Sequence, residues 1–272
     1  MTEPVRSTVP VGEARLDVAV WGSGTPRIVL LHDGLGSIAQ WRDLPALLAQ
    51  RTGSTVVAYD RPGHGASTPF PSGAWPADWL HRESDRLAGL LAALRIERPI
   101  LVGHSDGGSI ALLHALATGD ADRVVTLAAH SWVEDRTTER ITALHRDSDR
   151  TIRALGRYHA HPEAVFRAWS GVWMSDDFAP WDIRASLAGM TVPTLVVQGA
   201  DDEYASQDHA AATAAAIGAA ARCVLLPGRR HNLHHEAAGE IADLIAEWLA
   251  EPVGVPVAPD SAENPEREPG DG

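Results

Sequence analysis

The chain has 272 residues, 44% of them hydrophobic, which is enough for one large folded core with room for a subdomain. Its formal net charge of −13 at pH 7 argues against nucleic acid as a default partner. All 23 basic residues are arginines, which excludes lysine Schiff bases, lysine general bases and the lysine of a phosphate-binding P-loop.

The sequence shows no targeting or membrane-spanning pattern. Residues 1–11 lack the apolar run of a signal peptide, and no segment reaches 18 consecutive apolar residues. We therefore expect a cytoplasmic protein that does not act at a membrane. The single cysteine, Cys223, excludes an internal disulfide and a two-cysteine metal motif, and its apolar neighbours predict a small buried residue.

Short apolar runs alternate along the chain with longer helical patterns. The runs predict strands at residues 14–20, 28–31, 55–59, 100–103, 124–128, 194–198 and 222–226. The helical patterns lie at residues 38–49, 79–94, 109–117, 208–220 and 241–249. Because strands that alternate with helices form a parallel sheet covered on both faces, we predict the α/β class with a mostly parallel, doubly wound sheet.

Residues 131–190 interrupt this alternation, because they contain no convincing strand run. We predict a helical cap there, inserted between two parts of one core at residues 1–130 and 191–250. The cap contains regularly spaced arginines, namely Arg136, Arg140, Arg146, Arg150, Arg153 and Arg157. They indicate either a solvated helix face or a positive lid over an anionic substrate. Residues 251–272, rich in proline, glycine and acidic side chains, predict a disordered acidic tail.

Residues 103–107, Gly-His-Ser-Asp-Gly, directly follow an apolar run and have the G-x-S-x-G form of a nucleophile elbow. Such an elbow is a strand, one sharp turn and a helix. The turn needs glycines because its backbone is strained and crowded. We therefore expect Ser105 to project from the edge of the sheet at the start of a helix, where its hydroxyl can attack a carbonyl carbon.

Further segments lie on either side of the elbow, each after a predicted strand. They are residues 31–37, residues 60–67, the acidic turn at 199–202 and a histidine-containing turn at 228–231. Together with the elbow they resemble the α/β-hydrolase fold family, in which the triad residues follow the chain order Ser, Asp, His. The resemblance covers about residues 14–250, and it implies the fold of that family with a helical cap.

The resemblance implies a catalytic triad. Ser105 is the expected nucleophile, and His231 the expected base, because an imidazole titrates near neutral pH. Asp202 is expected to fix the tautomer of His231 and to stabilise the imidazolium. Three residues remain as alternatives: Asp201 for the acid, and His234 or His235 for the base.

The resemblance also implies an oxyanion hole formed by the backbone N–H groups of Gly34 and Asp106. Asp33 departs from the family, which usually has glycine there. The elbow is similar to that of valacyclovir hydrolase-like esterases, in which the acid beside the nucleophile holds the substrate's α-amino group. That role would fall on Asp106, whose alternative role is that of a carboxylate stabilised at a helix N-terminus. Three residues are further candidates for the substrate pocket: Trp132, Trp169 and Trp173.

The resemblance implies a serine hydrolase that cleaves a small or medium ester, lactone or thioester through an acyl-enzyme. We expect neither a cofactor nor a metal, and a small acyl compound as the substrate. Two other activities of the same fold remain open, carbon–carbon bond hydrolysis and cofactor-free haloperoxidase or perhydrolase chemistry. A third alternative is a ligand receptor that keeps the triad. The sequence leaves the identity of the substrate and the oligomeric state open.

Overall fold

A computed structural model describes residues 3–70 and 74–252. Its strands are β1 Val5–Val11, β2 Ala14–Trp21, β3 Pro26–Leu31, β4 Thr55–Tyr59, β5 Ile100–His104, β6 Arg123–Leu127, β7 Thr194–Gly199 and β8 Ala221–Leu226. They form one sheet in the order β1-β2-β4-β3-β5-β6-β7-β8. The pairs β1–β2 and β2–β4 are antiparallel and all the others are parallel. The prediction of a mostly parallel sheet is confirmed.

The helices of the described residues cover both faces of this sheet. They are α1 Leu44–Thr52, α2 Trp79–Leu94, α3 Asp106–Thr118, α4 Asp135–Arg146, α5 Ser148–Leu155, α6 Pro162–Trp173, α7 Arg184–Leu187, α8 Gln207–Ile217, α9 Leu233–Glu236 and α10 Ala238–Ala250. Helices α1 and α10 pack on one face, and α2, α3 and α8 on the other. Strand side chains alternate between the two cores, as Ile28 and Val29 do.

The central strands are continuous apolar runs because helices bury them on both faces, and this is the pattern that made them predictable. Strand β1 lies at the edge of the sheet and is mostly exposed, so it carries no such run and was not predicted. Strand β8 is the opposite edge. For this reason the prediction of a buried Cys223 is wrong: its side chain is exposed.

The predicted helix at residues 38–49 is two elements, a 3₁₀ turn at Ile38–Trp41 and then α1. Pro45 lies in the first turn of α1, where a missing N–H costs nothing. The helix predicted to begin at residue 109 begins at Asp106, directly after the elbow serine. The hydrophobic pattern does not show this start, because the first turn of the helix is polar and rich in glycine.

Four helices, α4 to α7, lie between β6 and β7, in the stretch for which we predicted a cap. The predicted acidic tail lies outside the described residues from residue 253 onward. No helix in the described ranges has both the length and the apolarity needed to cross a bilayer. Because β3, β5, β6, β7 and β8 are parallel, the loops after them meet at one edge of the sheet, and those loops carry the predicted site.

Candidate active site

Ser105 occupies a strained turn between β5 and α3. Its φ of +51° lies in the left-handed region that L-residues rarely adopt. Two glycines allow the turn, because a Cβ on Gly103 would overlap the backbone of Gly107, and a Cβ on Gly107 would overlap the carbonyl of Leu31. The Ser105 N–H donates to the Leu127 carbonyl at 2.9 Å, which fixes the turn to β6. The predicted strand–turn–helix is therefore present, with the serine at its apex.

His231 faces the predicted acid. Its Nδ1 lies 3.0 Å from Oδ2 and 3.1 Å from Oδ1 of Asp202, and both side chains are buried. Burial acts to raise the pKa of Asp202, but the His231 ring outweighs it and lowers that pKa to about 2. Burial acts to lower the pKa of His231, but the Asp202 carboxylate outweighs it and raises that pKa above its ordinary value. The pair can therefore hold the imidazole in one orientation and stabilise its charged form.

The rival residues lie elsewhere. Asp201 is exposed, and its N–H donates to the Arg229 carbonyl at 2.9 Å. His235 Nε2 lies 2.7 Å from the Gln40 carbonyl, and neither His234 nor His235 lines the cavity that contains Ser105 and His231. In the described chain, the carboxylate within hydrogen-bond distance of the His231 ring belongs to Asp202.

Ser105 and His231 line one small cavity of about 140 Å³. Its wall also contains Asp33, Gly34, Leu35, Asp106, His130, Thr137, Ile141, Trp169, Trp173, Tyr204 and Asn232. Ser105 Oγ makes no hydrogen bond to His231 within the described residues, a separation common in enzymes without bound substrate.

The loop at residues 32–36, after β3, is held by side chains on its carbonyl oxygens. Arg61 Nη2 donates to the carbonyl of residue 33 at 2.8 Å, and His64 Nε2 lies 3.0 Å from the carbonyl of residue 34. His159, which follows α5, lies with Nε2 3.0 Å from the carbonyl of residue 35. Three successive peptide units are therefore fixed in orientation, including the N–H groups between them.

The two predicted oxyanion donors, the N–H groups of Gly34 and Asp106, both belong to residues of the cavity wall. Asp106 is the first residue of α3, so its N–H has no partner inside the helix. Within the described chain the Gly34 N–H makes no backbone hydrogen bond. Among the described residues, neither N–H group therefore has a backbone hydrogen-bond partner.

Two carboxyl groups flank Gly34. Asp106 is 1% exposed, its Oδ2 has no partner among the described residues, and burial raises its pKa to about 7. Burial also acts to raise the pKa of Asp33, but His104, with Nδ1 3.7 Å from Asp33 Oδ1, and other nearby histidines lower it well below its usual range. At neutral pH Asp33 is therefore ionised, whereas Asp106 titrates.

The three candidate tryptophans divide between two places. Trp169 and Trp173, on α6, line the cavity. Trp132 does not, because its backbone forms a bridge with Asp182 and its indole stacks on His209, with 3.5 Å between ring centroids. The expectation that Trp132 contacts substrate in this cavity is therefore corrected. No group of three or more metal-ligating side chains occurs among the described residues.

Sequence reasoning missed six residues of the cavity wall: Leu35, His130, Thr137, Ile141, Tyr204 and Asn232. His130 and Tyr204 could have been predicted from the sequence, because each lies in a loop after a parallel strand, at the edge of the sheet where the elbow also lies. No sequence pattern could have placed Thr137 and Ile141 at the cavity, because their position depends on how α4 packs. The Tyr204 ring lies 4.5 Å from the His231 ring, and burial raises the pKa of Tyr204 to about 12.

The model of the alpha/beta hydrolase family matches residues 28–244. The chain belongs to this family. Serine hydrolase BPHL of Homo sapiens is 28% identical over 261 residues, covering 91% of this chain and 87% of that protein. A non-heme haloperoxidase of Rhodococcus erythropolis is 26% identical over 247 residues, covering 78% and 88% respectively.

Among solved structures, a serine hydrolase involved in carbazole degradation shares the fold of this alpha/beta hydrolase, with a TM-score of 0.73 and 23% identity. The match covers 90% of this chain and 98% of that one. The predicted fold and the prediction of a hydrolase-fold enzyme are therefore confirmed.

Proposed function

We propose that this enzyme is a serine hydrolase that cleaves a small ester, lactone or thioester through an acyl-enzyme. The observation that carries the proposal is the shared cavity: Ser105 on its strained turn and His231 line the same wall, and Asp202 holds the far nitrogen of the imidazole. Nucleophile, base and orienting acid are the three parts that acyl transfer by a serine requires.

The proposed reaction has two steps. His231 Nε2 takes the Ser105 proton as Oγ attacks the substrate carbonyl, and the N–H groups of Gly34 and Asp106 stabilise the oxyanion. The imidazolium then protonates the leaving alcohol or thiol, leaving an ester on Ser105. A water molecule, deprotonated by His231, attacks that ester, releases the acid and restores the serine hydroxyl.

The cavity volume supports a small acyl group. About 140 Å³ holds only a handful of non-hydrogen atoms, and the indoles of Trp169 and Trp173 bound it. We therefore expect p-nitrophenyl acetate and butyrate to be hydrolysed faster than octanoate. Ser105→Ala and His231→Ala should each abolish this turnover, and a fluorophosphonate probe should label the wild-type protein at Ser105. Ester hydrolysis that persists in Ser105→Ala, or labelling at another residue, would overturn the proposal.

Asp106 makes α-amino esters a refinement of this proposal. Its carboxyl is buried in the cavity wall with one oxygen unpartnered among the described residues, and the similarity to serine hydrolase BPHL extends along most of the chain. The test compares an alanyl ester with the matching propionyl ester, which lacks only the amino group. Preference for the amino ester in wild type, lost in Asp106→Asn, supports the role. Equal rates in wild type would limit Asp106 to a structural role.

Perhydrolase chemistry is the second candidate, and the similarity to a non-heme haloperoxidase favours it. Here hydrogen peroxide, instead of water, would attack the acyl-enzyme and release a peracid. The same Ser105-dependent acyl-enzyme serves both reactions, so the partition between acid and peracid, measured at several peroxide concentrations, separates them. Carbon–carbon bond hydrolysis and ligand sensing have no feature of the described cavity in their favour.

A further inference from the structure

The orientation of Asp202 depends on the backbone of the loop that carries it. We call residues 200–206, after β7, the acid loop. Asp202 Oδ1, 3.1 Å from His231 Nδ1, also accepts the N–H of Tyr204 at 2.8 Å and that of Ala205 at 3.3 Å. This carboxylate accepts hydrogen bonds both from its own loop and from the base. It therefore faces His231 only while the loop keeps its shape.

Three residues at the start of α4 hold the outer side of the acid loop, and we call them the α4 brace. Arg136 Nη2 donates to the Asp202 carbonyl at 2.8 Å, and Thr137 Oγ1 donates to the Tyr204 carbonyl at 2.7 Å. Glu134 accepts the N–H of Ser206 at 2.9 Å and its hydroxyl at 2.6 Å. One helical turn therefore binds the acid loop at its beginning, middle and end.

Thr137 is the central member of the brace. It is 1% exposed and lines the cavity, and the residue that it binds, Tyr204, packs its ring against the His231 ring. This buried hydroxyl thus binds the middle of the segment that carries both the acid and the aromatic neighbour of the base. Helix α4 also supplies Ile141 to the cavity wall, so the same helix contacts the substrate space and the acid loop.

We infer that the α4 brace is a positioning element for the catalytic pair, and that Thr137 is its main positioning residue. This inference rests on the proposed function, because it assigns the brace to the Asp202–His231 pair of that reaction. The Thr137 hydroxyl keeps the Tyr204 carbonyl paired and the Asp202 carboxylate facing His231. Without it the Tyr204 carbonyl loses this hydrogen bond, and we expect the loop to move to find another partner.

The test compares three variants at neighbouring positions. Thr137→Val keeps the shape of the side chain but removes its hydroxyl, whereas Thr137→Ser keeps the hydroxyl. Thr138→Val is the matched control, because the Thr138 hydroxyl donates to the Glu134 carbonyl of its own helix end, at 3.4 Å, and to no group of the acid loop among the described residues. We expect Thr137→Val to lower kcat for p-nitrophenyl acetate about tenfold with KM unchanged, about 1.4 kcal/mol at the transition state. The Thr137→Ser and Thr138→Val variants should stay near wild type.

A readout that needs no turnover is the pKa of His231 by NMR of histidine-labelled protein, with its signal assigned by absence from His231→Gln. In wild type this pKa should lie above the ordinary imidazole value of about 6.5, and in Thr137→Val it should move toward that value. An unchanged His231 pKa in a folded Thr137→Val protein would overturn the inference, as would equal losses in Thr137→Val and Thr138→Val. Failure of the proposed function would appear differently, as an absence of Ser105-dependent turnover in wild type.

Discussion

Gly34→Ala tests the proposed oxyanion hole, because the site has no room for a Cβ. A Cβ built on Gly34 falls well inside 3.0 Å of the Trp169 indole and of Asp106 Oδ2, closer than real Cβ atoms come to other atoms. Both neighbours are buried parts of the cavity wall, so neither is a flexible chain end that moves aside at little cost. The backbone of residue 34 has to move instead.

The size of that movement sets the expected effect. Carbon atoms in favourable contact lie about 3.5–4.0 Å apart, so relieving the overlap needs a displacement on the order of 1 Å. Moving an oxyanion donor out of place costs about 10²–10³-fold in kcat. Overpacking of this kind also costs about 1–3 kcal/mol of stability, which a domain of this size can tolerate. We therefore expect a folded Gly34→Ala protein with kcat lowered about 10²-fold.

The assay is steady-state hydrolysis of p-nitrophenyl acetate, with urea unfolding as the measure of stability. Gly171→Ala is the control: Gly171 lies on α6 two residues after Trp169, and a Cβ there meets no atom within 4 Å. That variant should keep wild-type kcat and gain up to about 1 kcal/mol, because alanine favours the helix. A Gly34→Ala enzyme with wild-type kcat would refute the assignment of the Gly34 N–H, as would an equal loss in Gly171→Ala.

Three other predictions concern the same cavity. Ser105→Gly should abolish turnover, yet its free energy of unfolding in urea should be about 1 kcal/mol higher than that of Ser105→Ala. The reason is that glycine adopts the positive φ of this position without strain. In a kcat/KM profile, activity should fall as pH drops through the raised pKa of His231, since the base must be neutral; Asp202→Asn should move that limb to lower pH and reduce kcat. Folding free energies measured from pH 4 to 8 should show wild type losing stability relative to Asp106→Asn as pH rises toward 7, because the folded state keeps the Asp106 proton longer than the unfolded chain does. A flat difference across that range would contradict the burial of an unpaired carboxyl.

The part of the site that could be predicted lies on the core strands. Strands β3, β5 and β7 contain continuous apolar runs, and the residues after each are chemically distinctive, so the pattern of the α/β-hydrolase family could be matched to Gly34, Ser105 and Asp202 in chain order. Parallel strands bring their carboxyl ends to one edge of the sheet, so residues that are far apart in the chain but follow these strands lie close together. His231 follows from the same argument, since it comes after β8.

The part that could not be predicted depends on helices between β6 and β7. A helical pattern shows which residues share a helix face, but not which neighbour that face meets. Trp169 and Trp132 illustrate the limit, because both are tryptophans of the same insertion and only Trp169 reaches the cavity. Thr137 had no signal either, since a threonine in a first helical turn is ordinary and its partner lies 67 residues away.

The Asp106 carboxyl group beside Gly34 links the pH dependence of the proposed reaction to the charge of the substrate. An ionised carboxylate next to the proposed oxyanion hole would repel the negative charge that develops there, so we expect a neutral ester to react fastest while Asp106 keeps its proton, below about pH 7. A cationic acyl group reverses the balance, because it lowers the pKa of Asp106 and neutralises the charge that would oppose the oxyanion. A cationic ester would escape this upper limit, and this is the physical reason behind the proposed preference for amino esters.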